Sequence, residues 1–254
     1  MTLNIDIAWL LAVFYTTLRL GAVLLMSPIM SGLGGLLLVR VFLVLGLSVM
    51  LVNSLDLPLP AHGLELGPMI AGALLELALG ITLAFGVHAG FASFTLAGKV
   101  LDIQSGLGMG SVYDPVTRSS APLFGTMLNM VAVVVFFALD GHHAFVRGLA
   151  YSLQQVAPGS GLAALPAEAV VRQFGLMFSL AVSLVIPVML ALLLAEAALA
   201  MVSRVLPQIN MFVIGVPVKI VVSIVVLMLT AGSLGPAMGR VYSGIFRYWE
   251  QVLG

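Results

Sequence analysis

The sequence predicts an all-α protein that crosses a membrane several times, with about six apolar segments. First, hydrophobic residues make up 61% of the 254 residues and charged residues only 8%, against roughly 25% charged residues in soluble domains. Second, the mean hydropathy is +1.21. Third, apolar stretches close to the roughly 20 residues needed to cross a hydrocarbon core recur along the chain. So few charges cannot build a water-facing surface.

The apolar segments are separated by connections that contain Gly, Pro or Asp. The segments are residues 5–26, 36–52, 66–98, 123–139, 170–204 and 211–234, and a short amphipathic tail follows at 240–253. The third segment would be about 50 Å long as one helix rising 1.5 Å per residue, which exceeds one bilayer crossing. We therefore expect it to be tilted, broken or protruding.

Residues 99–122 form the longest stretch that is neither strongly apolar nor highly charged, and they are rich in Gly and bounded by Pro. The sequence predicts an ordered but non-helical element here. Irregular backbone at membrane depth is tolerated only where protein buries it or water surrounds it. Such a loop can line or stop a pore. The stretches 140–143 and 158–161 are interpreted as further connections between segments.

Charge and cysteine content exclude several classes of function. Ten basic and ten acidic side chains cancel, and no two Lys or Arg residues are adjacent, so no nucleic-acid partner is expected. Basic residues divide four against four between the two sides of the predicted segments, which leaves the orientation open. The absence of cysteine excludes disulfides and thiolate metal sites. No basic side chain precedes Arg19, which argues against a cleaved signal peptide.

Five ionisable residues interrupt the apolar segments: Arg19, Glu76, His88, Glu196 and Lys219. A charge facing lipid costs a few kcal/mol, so these side chains should face protein or water. In a secondary transporter or small-solute channel, the last four would carry coupling ions. In an assembly, these ionisable side chains would instead form contacts between helices or between subunits. We favour the assembly, because their spacing indicates no single clustered site.

No catalytic, metal or cofactor site is predicted. His142 and His143 are adjacent, so their side chains should diverge on a helix, and a structural turn is favoured over a metal site. Asp114 lacks the second carboxylate of an intramembrane aspartyl protease. The glycines at 106–110 follow no predicted strand, which excludes a dinucleotide-binding loop.

Three patches together resemble the FliR family of flagellar export-gate proteins, whose counterparts in virulence type III secretion systems form the SctT group. The patches are residues 102–115 followed by Pro122; Phe136-Phe137 and residues 140–143 leading to Pro158-Gly159; and residues 204–219 preceded by Pro187 and Glu196. The resemblance spans nearly the whole chain and predicts one FliR-like domain over residues 1–254.

The resemblance implies a multi-pass protein of the bacterial inner membrane, within the flagellar basal body. Family members join FliP and FliQ subunits in a pore-forming complex to which FlhB attaches, and unfolded flagellar proteins pass through its centre. The resemblance also implies that the apolar segments are broken into helical hairpins within this multi-subunit gate. Membrane lipid is a further expected contact, and no cofactor is implied. The loop at about 105–122 corresponds to the segment that plugs the family's pore. Its candidate residues are Gly106, Leu107, Gly108, Met109, Gly110, Val112, Asp114, Pro115 and Pro122.

A plug of this composition has a physical rationale. Glycines allow tight folding in a narrow lumen, and apolar side chains such as Leu107, Met109 and Val112 exclude water and ions. Modest contacts make such a closure easier to displace than buried salt bridges. A second set of polar residues is assigned to buried contacts within the assembly: Glu76, His88, Glu196, Arg204, Gln208, Asn210 and Lys219.

Overall fold

A computed structural model describes residues 7–28, 37–55, 57–60, 65–107, 122–160, 167–206, 208 and 210–254, without the side chains of residues 211 and 212. These ranges contain α-helices and no strand. The helices are α1 (Ile7–Met26), α2 (Leu37–Ser54), α3 (Leu66–Ser105), α4 (Leu123–Ala138), α5 (Gly141–Gln155), α6 (Ala167–Val205), α7 (Met211–Leu229) and α8 (Ala231–Leu253). The all-α prediction is confirmed.

The length and apolar composition of four helices allow each to cross a membrane: α1, α2, α3 and α6. Two further pairs, α4 with α5 and α7 with α8, are bent at a short break and would each count as one more span. The described part of the chain therefore holds four candidate spans, or up to six. This agrees with the prediction of about six apolar segments.

Three boundaries differ from the sequence prediction. The sixth segment, expected over residues 211–234, ends as α7 at Leu229, and α8 begins at Ala231 rather than near residue 240. α3 continues without interruption for 40 residues to Ser105, so residues 99–105 are helical and the third segment is not broken. α5 begins at Gly141, where a connection was expected. Its buried residues Phe145, Leu149 and Leu153 recur every four positions, which is the spacing of one face of an amphipathic helix.

The chain divides into two compact units. Unit 1 comprises Met1–Ala89, Asp140–Phe174 and Ser243–Gly254, and unit 2 comprises Gly90–Leu139 and Gly175–Tyr242. The boundaries at 89/90, 174/175 and 242/243 fall inside helices α3, α6 and α8. Three continuous helices thus contribute residues to both units, and the assignment of one domain over residues 1–254 stays a prediction.

The core of unit 1 is built around aromatic side chains from the end of α8. The Trp249 indole Nε1–H donates to the Leu83 carbonyl at 2.9 Å, and the Tyr248 hydroxyl donates to the Thr82 carbonyl at 3.0 Å. Gly86 and Gly148 provide the space for these rings, since a Cβ on either would lie within 2.6 Å of a ring carbon. α1 packs against α2 in the same unit.

The core of unit 2 contains a cluster of four aromatic rings from α3, α4 and α8. Phe91, Phe94, Phe136 and Tyr242 are each at most 5% exposed. Their contacting rings have centroids 5.3–6.2 Å apart in tilted or edge-to-face arrangements, the geometries that aromatic pairs prefer. The Tyr242 hydroxyl donates to the Ala132 carbonyl. This cluster ties the helices that carry the candidate site.

Candidate functional site

The structure describes both ends of the predicted plug loop. Gly106 and Leu107 follow α3, and Pro122 precedes α4. The other candidates, Gly108, Met109, Gly110, Val112, Asp114 and Pro115, lie outside the described residues. We call residues 102–107 and 122–125 the loop stem. All of the loop stem belongs to unit 2.

Asp102 joins the two sides of the loop stem. Asp102 is 3% exposed, and its carboxylate accepts two backbone hydrogen bonds from the first turn of α4. The Phe124 N–H donates to Oδ1 at 3.1 Å, and the Gly125 N–H donates to Oδ2 at 3.2 Å. One side chain at the end of α3 thus binds the start of α4 across the loop.

The first turn of any helix has N–H groups without partners inside the helix, and a negative charge there interacts favourably with the helix dipole. Pro122 occupies the N-cap position of α4 and provides no side-chain hydrogen bond. A Ser, Thr or Asp at the N-cap usually provides the side-chain oxygen that accepts hydrogen bonds from these amides. Here Asp102, on a neighbouring helix, provides it instead. The start of α4 therefore depends on α3 for its capping.

A close approach of α3 and α4 makes this contact geometrically possible. A Cβ built on Gly98 would lie 2.2 Å from the Gly125 Cα and 2.3 Å from its nitrogen, closer than any real contact. Only a glycine at position 98 lets the two backbones meet at this distance. The glycine that seemed to end the third apolar segment instead lies inside α3 and packs against α4.

Gly106 ends α3 on the loop side. Its φ of 86° lies in the left-handed region, its N–H donates to the Ile103 carbonyl at 3.2 Å, and a Cβ there would lie 3.2 Å from Val216 Cγ2 of α7. A left-handed φ favours glycine, and the tight contact adds to that preference. The chain leaves α3 at Gly106 in a direction that other residues adopt only with strain.

A cavity of about 320 Å³ lies beside the loop stem, between α3, α6 and α7. Its lining includes Gln104, Gly106, Val216, Glu196 and Lys219. Lys219 Nζ donates to Glu196 Oε1 at 2.8 Å, with the two side chains 20% and 60% exposed. The Gln104 Oε1 atom is buried without a hydrogen-bond partner in the described part of the chain. The loop therefore leaves α3 next to a partly polar space.

In unit 1, Arg19 and Glu76 form an ion pair in which both side chains are fully buried. Arg19 Nε donates to Glu76 Oε2 at 2.6 Å and Nη2 donates to Oε1 at 2.8 Å, while Nη1 donates to the Ser152 carbonyl at 2.7 Å. The Gly159 N–H completes the network by donating to Glu76 Oε1 at 2.8 Å. The hydrogen bonds of a bidentate Arg–carboxylate pair are stronger than those between neutral groups, and the two parallel bonds fix the relative orientation of the side chains.

This network joins α1, α3, α5 and the turn at Gly159. Burying either charge alone would be costly, and the pair is tolerated because each of its groups has a partner. The Glu76 carboxylate is occupied by its cation and a backbone donor, so its position serves the packing of unit 1. The sequence marked Glu76 as a buried polar residue but could not name its partner.

Comparison with known proteins identifies the chain. Residues 10–245 match the model of a family described as bacterial export proteins, family 1. This chain belongs to that family. It is 26% identical over 250 residues to the flagellar biosynthetic protein FliR of Escherichia coli strain K12, covering 97% of this chain and 94% of the relative.

Other relatives of this export protein come from two kinds of system. FliR of Bacillus subtilis strain 168 is 28% identical over 201 residues, covering 78% of this chain and 77% of the relative. The Yop proteins translocation protein T of Yersinia pestis is 29% identical over 147 residues, covering 57% and 56%. The similarity to FliR proteins thus extends further along the chain than the similarity to this translocation protein.

The remaining predicted polar residues of this export protein lie at its surface. His88 is exposed on α3, and Arg204, Gln208 and Asn210 are exposed around the connection from α6 to α7. Their assignment to contacts with other subunits stays a prediction. The residue that sequence reasoning missed is Asp102. Its position directly before the glycine-rich stretch, with a proline-led helix start after that stretch, was the available signal.

Proposed function

We propose that this export protein is an integral subunit of the flagellar type III protein export gate in the bacterial inner membrane. In this role it helps to form and close the channel through which unfolded flagellar proteins are secreted. No catalytic role is proposed. The length of the match to FliR proteins, up to 97% of this chain, supports a flagellar rather than a virulence system.

The proposed partners are FliP and FliQ in one gate complex, FlhB attached to it, and membrane lipid around it. The exposed apolar surface supports such an environment. On α2, Leu37, Leu38, Phe42 and Met50 are each more than 60% exposed, and on α6 Leu194 is 73% exposed. Exposed apolar side chains in such numbers are typical of surfaces that contact lipid or another protein.

The observation that carries the channel-closing role is the Asp102 contact across the loop stem. It holds the end of α3 and the start of α4 together through hydrogen bonds of 3.1 and 3.2 Å. The segment between them therefore begins and ends at one anchored point. An anchored glycine-rich segment is suited to block a lumen, because its middle can be displaced while the helices that carry it stay in place.

Deletion of residues 106–110 tests this role. In the assembled gate, we expect the deletion to raise ion leakage across the inner membrane, measured as conductance or as sensitivity to ions in growing cells. Deletion of residues 161–165, in another connection of the chain, serves as the matched control. Unchanged conductance in an intact complex that lacks residues 106–110 would count against the plug.

The second candidate function is a secondary transporter or small-solute channel that uses Glu76, His88, Glu196 and Lys219. Two observations disfavour it: the Glu76 carboxylate is already bound by Arg19, and Glu196 binds Lys219. Purification in mild detergent separates the two proposals. Co-purification with FliP and FliQ is expected. If the protein instead purifies as a monomer and transports a solute in liposomes, the transporter proposal is favoured and the gate proposal is refuted.

A further inference from the structure

Three side chains of types that bind metal ions meet at the start of α5. One ligand atom each from Asp140, His142 and His143 lies within 4.8 Å of the others. His143 Nδ1 is 3.4 Å from Asp140 Oδ1, and the two imidazole ring centroids are 4.0 Å apart. The expectation that the adjacent histidine side chains diverge is therefore wrong.

The backbone of Asp140 is held in an unfavourable conformation. Its φ of 55° and ψ of 27° are left-handed, and among the residues that the structure describes it is the one non-glycine with positive φ. Such strain tends to persist where a side chain must be oriented for function. Asp140 also occupies the N-cap position of α5 without forming a side-chain capping bond. Its carboxylate instead faces His143.

We propose that Asp140, His142 and His143 form a binding site for a zinc ion. Zn²⁺ binds imidazole nitrogen and carboxylate oxygen at about 2.0–2.2 Å, and sites with three protein ligands keep a fourth position for water. Tetrahedral geometry at those lengths places ligand atoms about 3.3 Å apart. The 3.4 Å separation between His143 Nδ1 and Asp140 Oδ1 already matches that value.

The surroundings suit an ion that enters from water. The His143 and Asp140 side chains are 66% and 77% exposed. The chain has no cysteine and four histidines in all, so no thiolate competes for the ion. The bound ion holds the strained Asp140 backbone to the first turn of α5. The proposed site does not depend on the proposed gate function.

Zinc titration of the full chain, purified in detergent through an affinity tag without histidine, tests the proposal. Isothermal titration calorimetry should give one Zn²⁺ per chain, and Co²⁺ used as a spectroscopic probe should show the absorption bands of nitrogen and oxygen ligation. His143→Gln and Asp140→Asn each remove a ligand, and each should weaken zinc binding by about 10–100-fold or more, since loss of an outer-shell partner alone typically costs that much. His62→Gln, a histidine elsewhere in the chain, is the matched control and should bind as the wild type does.

Asp140→Gly separates metal binding from folding. Glycine adopts positive φ without strain, so this variant should unfold at the wild-type temperature or above it in zinc-free buffer. It should also lose the rise in unfolding temperature that zinc produces in the wild type, since a ligand stabilises only a protein that binds it. Absence of saturable zinc binding in the wild type overturns the proposal, as does equal weakening in the His62→Gln control.

Discussion

Replacing Arg19 by methionine removes the cation from a fully buried ion pair. Among the described residues, the Glu76 carboxylate then keeps the Gly159 N–H as its one hydrogen-bond donor. Methionine fills a similar volume but makes none of the three hydrogen bonds that Arg19 donates. Breaking a buried pair on one side typically costs 3–5 kcal/mol, because an uncompensated charge stays buried. We expect the free energy of unfolding to fall by about that amount.

The double variant Arg19→Met/Glu76→Leu should be much less destabilised. It removes both charges, and the Ser152 carbonyl keeps its helical hydrogen bond from the Val156 N–H. Only the Gly159 N–H loses its acceptor, which costs about 1–3 kcal/mol. The losses of unfolding free energy in Arg19→Met and in Glu76→Leu should therefore sum to far more than the loss in the double variant. Such non-additivity is the signature of a direct interaction.

Thermal unfolding of the purified protein in detergent, followed by helical circular dichroism, measures these differences. At about 2–4 °C per kcal/mol for a chain of this size, Arg19→Met should lower the midpoint by about 6–20 °C. Additive effects of the two single changes would refute the reasoning, because the charges would then not depend on each other. The reasoning would also be refuted if Arg19→Met lowered the free energy of unfolding by less than about 1 kcal/mol, the value typical of exposed ion pairs. Water would then reach the Glu76 carboxylate.

Three further changes have expected outcomes. Gly98→Ala should destabilise the protein by about 1–3 kcal/mol, because the added methyl group overpacks against α4. Gly46 lies on an exposed helix face with open space around it, so Gly46→Ala should stabilise the protein by about 0.5–1 kcal/mol. Thermal unfolding of the two variants compares these effects. Asp102→Asn should cost about 1–2 kcal/mol through loss of a charged cap, with faster hydrogen exchange at the first amides of α4 as the readout. Substitution of Glu196 or Arg204, which lie about 80° apart on α6, should reduce recovery of the intact gate complex in co-purification, and intact complexes from both variants would contradict this.

The apolar segments could be predicted closely because their length and composition are set by the sequence alone. Residues 5–26 were expected as the first segment, and α1 spans Ile7–Met26. The end of α3 could not be predicted in this way. Glycine is unfavourable inside a helix by about 1 kcal/mol, so Gly98 suggested a helix end. Its actual role is the close approach to α4, which becomes visible only when the tertiary contact is known.

The candidate site was predicted as a stretch of sequence but not as a set of contacts. The glycine content and bounding prolines of residues 106–122 located the loop. The buried contact of Asp102 with the Phe124 and Gly125 amides spans 22 and 23 residues, and no local pattern specifies such a pair. The Arg19–Glu76 pair, 57 residues apart, illustrates the same limit. A charge in an apolar helix predicts that a partner exists, and only the fold identifies it.

The Asp102 contact also makes the length of the loop independent of the helices that carry it. The Asp102 side chain at the end of α3 accepts hydrogen bonds from two amides at the start of α4, so the same contact joins the two helices whatever the length of chain between them. The entropy lost on closing such a ring grows only with the logarithm of its length, so doubling the number of residues costs about 0.6 kcal/mol. Insertions and deletions between the two anchors can therefore accumulate in evolution, or be engineered, without remodelling the ends of α3 and α4.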